Sequence, residues 1–234
     1  MHTVFVRGCS PINPLDPNPI SGPVQAIFGI LFLYINCEVK GMGILQEILN
    51  HNQEFVTNRQ YESFQTDKFP DKRIVVVSCM DTRLVELLPK AMNIRNGDVK
   101  IVKTAGAVVS HPFGSIMRSI IVAIYELQAD EVFIVGHHDC GMAAVNVDRV
   151  LSKMKDRNVS PETITTIENS GIHIKEWLRG FDDVSESVKN SVRIVENHPL
   201  IPKDVAVHGL VIDPSTGKLD TVVNGYEKET VESK

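Results

Sequence analysis

The chain alternates between short runs rich in β-branched residues and longer segments whose apolar residues recur every three or four positions. The short runs predict β-strands, and the longer segments predict amphipathic helices. Strands that alternate with helices favour a mostly parallel central β-sheet flanked by helices, which is an α/β fold. The predicted strands are 74–79, 99–104, 131–136, 205–212 and 219–223, and a turn at 214–217 joins the last two as a hairpin at the sheet edge.

The predicted helices differ in how their ends are marked. Pro112, tolerated in a first turn, predicts that one helix starts at Ser110 and buries a broad apolar face that includes Phe113. A second is predicted over 142–154, and its first turn beside Cys140 would favour the thiolate form of that cysteine. The other predicted helices are one of about four turns from Gly43, one over 84–92, a short one from Ser160, and one over 184–195 before Pro199.

Length and composition limit the class of protein. With 234 residues and 43% hydrophobic content, the chain can bury a full core, and one α/β domain is the simplest organisation. A formal charge of -5 without a dense Lys/Arg block gives no electrostatic footprint for nucleic acid. Four cysteines in a chain of this length do not indicate a secreted disulfide framework, and two of them, Cys9 and Cys37, lie near the N-terminus. We therefore expect a cytoplasmic protein with no nucleic-acid partner.

Residues 1–41 differ from the rest of the chain. They hold five prolines and an apolar run, 24–35, that is shorter than the roughly 20 residues a membrane-spanning helix needs. A signal peptide would need more basic residues than Arg7 before this run and a small-x-small cleavage site after it. Alternatively, translation starts at Met42, because 38–41 can be encoded by a sequence resembling a bacterial ribosome-binding site. We expect 1–41 to be an extension, untranslated or disordered, and 42–234 to be the folded domain without a membrane anchor; mass spectrometry of the native N-terminus tests the start site.

Soft metal-ligating residues follow two of the predicted strands. Cys79 ends one strand, and His137 and Cys140 follow another with two residues between them. Ligands in open α/β sheets gather at the carboxyl ends of strands, and the two-residue gap lets an imidazole and a thiolate turn toward one ion. Two cysteines and a histidine suit tetrahedral zinc with an open fourth position, whereas magnesium and calcium prefer oxygen. We therefore expect one Zn2+ per chain, bound by Cys79, His137 and Cys140.

A carboxylate and a guanidinium accompany the first ligand. Asp81 and Arg83 have the same strand parity as Cys79, so the three side chains point to one side as long as the backbone stays extended. A carboxylate beside a guanidinium stays ionised and is held by paired hydrogen bonds, which fits it to accept a hydrogen bond from a zinc-bound hydroxide. We therefore predict that Asp81 and Arg83 are catalytic, and we expect no cofactor besides zinc.

Together the two motifs resemble those of the β-class carbonic anhydrases, from about Gly43 to the C-terminal strand pair. That family pairs Cys-x-Asp-x-Arg with Gly-His-x-x-Cys-Gly, which read here as Cys79-Met80-Asp81-Thr82-Arg83 and Gly136-His137-His138-Asp139-Cys140-Gly141. The resemblance implies a zinc lyase that hydrates carbon dioxide reversibly to bicarbonate and a proton by attack of zinc-bound hydroxide. It implies a homodimer or higher homo-oligomer, with the N-terminal helix lying across the partner. It also implies two states of Asp81, one held by Arg83 and one acting as a fourth zinc ligand in a closed, inactive site.

Two other functions stay open. Hydrolysis of carbonyl sulfide or carbon disulfide needs the same attack on a linear, apolar molecule, so only pocket shape and access would separate it from carbon dioxide hydration. The second alternative is a non-catalytic, zinc-stabilised interaction protein. The Asp81 and Arg83 pair counts against it, because a purely structural zinc site needs neither an open position nor an orienting pair. Lys103, Thr104 and Ala107 replace the residues that are more typical of the family beside the site, which changes the pocket wall and not the metal ligands.

The remaining polar residues near the motifs have simpler interpretations. We interpret His138 as an outward-facing or loop residue, with proton transfer to solvent as the alternative. Asp139 is predicted to support the turn or the metal ligands without binding the metal. His111 and His208 are predicted to be structural, because neither is spaced with a second soft residue.

Overall fold

The computed structural model describes residues 43–227, and the chain divides into two compact units between Gln65 and Thr66. In the first unit, helix α1 (Ile44–Thr57) is followed by a 3-10 helix, Gln60–Phe64. The helix predicted from Gly43 is therefore confirmed. The proposed extension 1–41, the alternative start at Met42 and the first two cysteines lie outside the described residues.

A five-stranded sheet forms the centre of the second unit, in the order β2-β1-β3-β4-β5. The first four strands pair in parallel, and β5 runs antiparallel to β4 at the edge. This confirms the mostly parallel α/β fold and the terminal hairpin. The strands are β1 (Ile74–Cys79), β2 (Val99–Thr104), β3 (Glu131–His137), β4 (Ala206–Ile212) and β5 (Leu219–Val223).

Helices cover both faces of this sheet. The helices of the second unit are α2 (Leu84–Ala91), α3 (Ser115–Tyr125), α4 (Val147–Asp156), α5 (Pro161–Asn169), α6 (Ile174–Leu178) and α7 (Val184–Glu196). The buried side chains of Val75 and Val77 join the core that α3 and α7 form on one face. Val76, between them, joins the smaller core that α2 forms on the other. A strand with side chains buried on both faces explains why this run of sequence is continuously apolar.

The predicted start of α3 at Ser110 is wrong. The helix begins at Ser115, after the N-cap residue Gly114, and Phe113 lies outside it with 72% of its surface exposed. The backbone N–H of Phe113 donates to His111 Nδ1 at 3.0 Å, and that of Gly114 donates to the His111 carbonyl at 3.1 Å. These bonds hold the segment in a turn, because a side-chain acceptor competes with the helical pattern.

The predicted helix over 142–154 also starts later than expected. Its observed counterpart, α4, begins at Val147, where the side chain of the N-cap residue Asn146 accepts a bond from the Arg149 N–H. An asparagine cap of this kind satisfies one of the free amides at a helix start. The residues directly after Cys140 form turns instead. The helix that follows Cys140 therefore does not begin beside it, and the expectation that its first turn stabilises the thiolate is wrong.

Two glycines let α7 lie close against the strands that carry the site. A Cβ built at Gly136 would lie 2.8 Å from Val184 Cγ2 and 2.8 Å from Val188 Cγ2, and one at Gly209 would lie 2.8 Å from Val188 Cγ1. Gly136 directly precedes His137 in β3, and Gly209 is in β4, which pairs with β3. The close approach of α7 therefore fixes the strand that presents the histidine.

Adding a methyl group at this contact should destabilise the fold. We expect Gly209→Ala to lower the free energy of unfolding by about 1–3 kcal/mol, the range for overpacking a core, as measured by urea denaturation. Val188→Ala removes the methyl group that a new Cβ would approach most closely, so the double variant should lose less stability than the two single variants added together. Full additivity of the two substitutions would contradict this account of the packing.

Among residues 43–227, no helix is both long enough and apolar enough to cross a membrane.

Candidate metal centre

Three metal-ligating side chains meet at the carboxyl ends of two neighbouring strands. Cys79 ends β1, His137 ends β3, and Cys140 follows three residues later; β1 and β3 pair in parallel, so these ends coincide. The Cys79 and Cys140 Sγ atoms are 3.9 Å apart, and one ligand atom from each of the three residues lies within 4.8 Å of the others. All three residues are buried. This cluster could hold a metal ion, as the sequence predicts.

The histidine of this cluster presents a free ring nitrogen. His137 Nδ1 lies 2.8 Å from the carbonyl oxygen of His138, which can only accept a hydrogen bond, so Nδ1 carries the proton. Nε2 is then an acceptor; it is buried and has no hydrogen-bond partner in the described structure. A buried unpaired acceptor is costly unless something binds it. A metal ion at Nε2 would remove that cost, and a backbone carbonyl on the other nitrogen is the usual second partner of a metal-binding histidine.

The two sulfur atoms fit the same conclusion. Burial raises the pKa of the Cys140 thiol, a backbone hydrogen bond from Met142 opposes this, and the nearby Cys79 raises it again. A thiol in such a place stays protonated unless a cation binds it, since a cation is what stabilises a buried thiolate. Two buried sulfurs and one imidazole nitrogen are the donor set that suits zinc, and they argue against magnesium or calcium.

Two glycines hold the turn that follows Cys140. A Cβ at Gly180 would lie 1.7 Å from the Met142 carbonyl oxygen, so only glycine fits there. Gly106 has a φ of +74°, and a Cβ on it would lie 2.9 Å from Phe181 and 3.0 Å from the Met142 side chain. Segments far away in sequence thus enclose Met142. This packing holds the Met142 backbone where its N–H donates to the Cys140 sulfur. The small residues after β2 therefore lie beside the site, as the sequence indicates.

Asp81 and Arg83 form a tightly bonded pair at the edge of the cluster. The Arg83 backbone N–H and Nε donate to Asp81 Oδ1 at 2.9 and 3.0 Å, and Nη2 donates to Oδ2 at 2.9 Å. The pair forms within a turn after β1 and not along an extended strand. The prediction that Asp81 and Arg83 are partners is therefore right, but strand parity is not what brings them together. The hydrogen bond from Arg83 is the main cause that lowers the pKa of Asp81 to about 2. Asp81 Oδ2 lies 3.8 Å from His137 Nε2, close to the metal ligands.

The same guanidinium also reaches the second motif. Arg83 Nη1 donates to Asp139 Oδ2 at 2.8 Å, and Nη2 donates to the Asp139 carbonyl at 2.9 Å. The sequence places Asp139 in the turn between His137 and Cys140, but nothing in its spacing indicates the arginine as its partner. A left-handed φ of +53° at Asp139 is the geometry that turns its carbonyl and side chain toward Arg83.

The side chains of His111, His138 and His208 are not part of the three-ligand cluster. His138 is exposed, and its N–H donates to the Ile212 carbonyl at 3.1 Å. His208 is buried next to Phe133, at the opposite end of the sheet from the ligands, with its Nδ1 accepting from the Gly225 N–H. His111 accepts a bond in the turn before α3. These contacts agree with structural interpretations of His111 and His208.

A family model described as "Carbonic anhydrase" matches residues 74–219, which include both motifs. A Bacillus subtilis protein named "Putative carbonic anhydrase YtiB" is 60% identical over 185 residues, covering 79% of this chain and 99% of that protein. The crystal structure of β-carbonic anhydrase isoform I from Trichomonas vaginalis is similar with a TM-score of 0.72 and 37% identity, covering 79% of this chain and all of that one. A carbon disulfide hydrolase from Acidithiobacillus thiooxidans is 28% identical, covering 64% of this chain and 76% of that protein.

Proposed function

The chain belongs to the β-class carbonic anhydrases, and from this we propose that it catalyses the zinc-dependent, reversible hydration of carbon dioxide to bicarbonate and a proton. We propose Cys79, His137 and Cys140 as the ligands of one Zn2+ per chain, with Asp81 and Arg83 as the catalytic pair. The observation that carries the proposal is the buried, unpaired His137 Nε2 grouped with two buried thiols within 4.8 Å.

The residues around the cluster have distinct tasks in this reaction. When bound, zinc supplies a water acidic enough to act as a hydroxide nucleophile near neutral pH. Asp81 is ionised at that pH because its pKa is about 2, so its Oδ2 can accept a hydrogen bond from the attacking water and orient it. Arg83 binds both carboxylate oxygens and fixes the orientation of Asp81. Because Arg83 holds Asp81 by three hydrogen bonds, we propose that Asp81 acts in the first of the two states that the resemblance implies, in which it does not bind the metal.

Hydrolysis of carbon disulfide or carbonyl sulfide is the second candidate. It is supported by the 28% identical protein that is named for carbon disulfide hydrolysis, since the same nucleophile can attack either linear molecule. Carbon dioxide is favoured because the 60% identical relative carries the carbonic anhydrase name. A non-catalytic zinc protein is disfavoured, because the Asp81–Arg83 pair beside the cluster has no use in a purely structural site.

We also propose that the protein works as a cytoplasmic homodimer or a larger homo-oligomer, without nucleic-acid or membrane partners. In α1, the side chains of Ile44, Leu45 and Ile48 are 70%, 67% and 57% exposed, and such adjacent apolar side chains favour a protein interface. A second copy of the chain is the partner that the resemblance implies. Sedimentation equilibrium separates the alternatives, and a mass equal to one chain at every concentration would exclude the oligomer.

Stopped-flow hydration of carbon dioxide across pH, on purified protein with zinc quantified per chain, tests the proposed function. We expect one zinc per chain and a rate that rises toward alkaline pH, because the attacking water must lose a proton. Carbon disulfide and carbonyl sulfide hydrolysis are measured on the same preparation. Full zinc occupancy with no hydration at any pH, but rapid hydrolysis of the sulfur compounds, would replace the first candidate by the second.

A further inference from the structure

Arg83 is bonded on two sides by different segments of the chain. Its Nε and one Nη2 hydrogen face Asp81, whereas Nη1 and the other Nη2 hydrogen face the side chain and carbonyl of Asp139. Four of the five guanidinium N–H groups are thereby used, in a planar geometry that fixes the direction of the whole group. The two contacts cross-link the turn after β1 to the turn that carries His137 and Cys140.

We propose that Asp139 is a positioning residue for the reaction: it anchors Arg83, so that Arg83 holds the Asp81 carboxylate in the orientation that catalysis needs. This inference rests on the proposed function for its effect on turnover. The structural part of the inference, that the orientation of Arg83 depends on Asp139, does not rest on the proposed function.

Any residue at position 139 could make the contact through its backbone carbonyl. The identity of the residue matters because only its side chain makes the second contact. The side chain adds a charged acceptor 2.8 Å from Nη1, the one guanidinium nitrogen that makes no bond to Asp81. Without it, Arg83 would keep its bonds to Asp81, but only the bond to the Asp139 carbonyl would still tie it to the other segment, so the Asp81–Arg83 pair could swing more freely. The link to the segment of His137 and Cys140 is what prevents the pair from moving as a unit.

The φ of +53° at Asp139 guides the choice of variants. Alanine would add backbone strain there, whereas glycine adopts this conformation freely and asparagine tolerates it. Asp139→Gly therefore removes only the side chain, and Asp139→Asn keeps an acceptor but removes the charge. Asn158→Gly is the matched control, because Asn158 is exposed, has a φ of +67° and follows α4.

We expect Asp139→Gly to lower kcat by about five- to tenfold with little change in KM, the scale for an exposed charged contact that supports an active-site group. Asp139→Asn should recover part of that loss, and Asn158→Gly should match the wild type. Zinc content and thermal midpoint should be unchanged in all three. In an Arg83→Gln background, Asp139→Gly should have no further effect, because a residue that acts through Arg83 has nothing left to position.

Hydrogen exchange of the Arg83 Nη1–H that donates to the Asp139 side chain, followed by NMR on the full chain, is independent of turnover. Faster exchange in Asp139→Gly, but not in Asn158→Gly, is the expected result. An unchanged exchange rate, or additive losses in the Arg83→Gln double variant, would overturn the proposal. If the wild-type protein did not hydrate carbon dioxide, the proposed function would fail, while the exchange experiment would still decide whether Asp139 anchors Arg83.

Discussion

Replacing Cys79 with serine is expected to remove zinc binding and carbon dioxide hydration together. A serine hydroxyl does not ionise at neutral pH and is a poor ligand for zinc, so two protein ligands would remain. Metal activation of the nucleophile contributes several kcal/mol, so hydration should fall by about a thousandfold or more. Zinc per chain, measured by mass spectrometry of the metal, and stopped-flow hydration provide the two readouts.

The control for this variant is Thr82→Ser, which keeps the hydroxyl group in the same turn and should retain both zinc and activity. Circular dichroism of Cys79→Ser shows whether the fold is intact, which is needed because Cys79 is buried. A folded Cys79→Ser protein that still held one zinc per chain would remove Cys79 from the ligand set.

Replacing Asp81 with asparagine should lower hydration by about a hundredfold, the scale for losing the correct orientation of a reacting group. The wild-type profile should show no titration of Asp81 itself, because a pKa of about 2 keeps the carboxylate ionised at any pH where the enzyme is assayed. Removing a negative charge beside the site does not disfavour deprotonation of the attacking water. The maximal rate should therefore drop, and the midpoint of the pH profile should not move to higher pH.

Asp130→Asn is the matched control for the loss of a carboxylate bonded to an arginine. Asp130 forms a paired contact with Arg73 before β3, and the Arg73 hydrogen bond lowers the pKa of Asp130 in the same way. This substitution should leave hydration unchanged. Activity of Asp81→Asn within about twofold of the wild type would show that the carboxylate takes no part in the reaction.

The strands and the three clustered side chains are the features that the sequence predicts best. The buried strand β1 has bounds of 74 and 79 in both the prediction and the structure, because a β-branched run follows Lys72 and Arg73 and leads directly into the first metal-ligand motif. The grouping of Cys79 with His137 and Cys140 follows from parallel strands that end together, which the order of strands and helices already implies.

The helix starts at 110 and 142 could not be predicted in the same way, because local bonds decided them. The ring of His111 binds the amide of Phe113, and the side chain of Asn146 caps α4, and each competes with a helix signal nearby. The partner of Asp139 was likewise hidden, since Arg83 lies 56 residues away in the sequence. Such pairings depend on how turns are oriented and not on periodicity.

Preference between carbon dioxide and its sulfur analogues was the least predictable property. We expect it to depend on the residues beside the ligands, where Gly106, Met142 and Phe181 come from three separate segments. None of these residues has a motif of its own. Only the folded chain shows that they are neighbours.

The contact between Gly180 and the Met142 carbonyl has a consequence for how this protein can evolve. Because the crowded atom belongs to the backbone, no change of side chain at position 142 can make room for a larger residue at 180. Descendants of this chain are therefore free to vary the thioether of Met142 and reshape the wall of the site, but glycine at 180 should persist in lineages that keep the turn after Cys140. Substrate preference could then change through position 142 while the backbone contact at Gly180 stays the same.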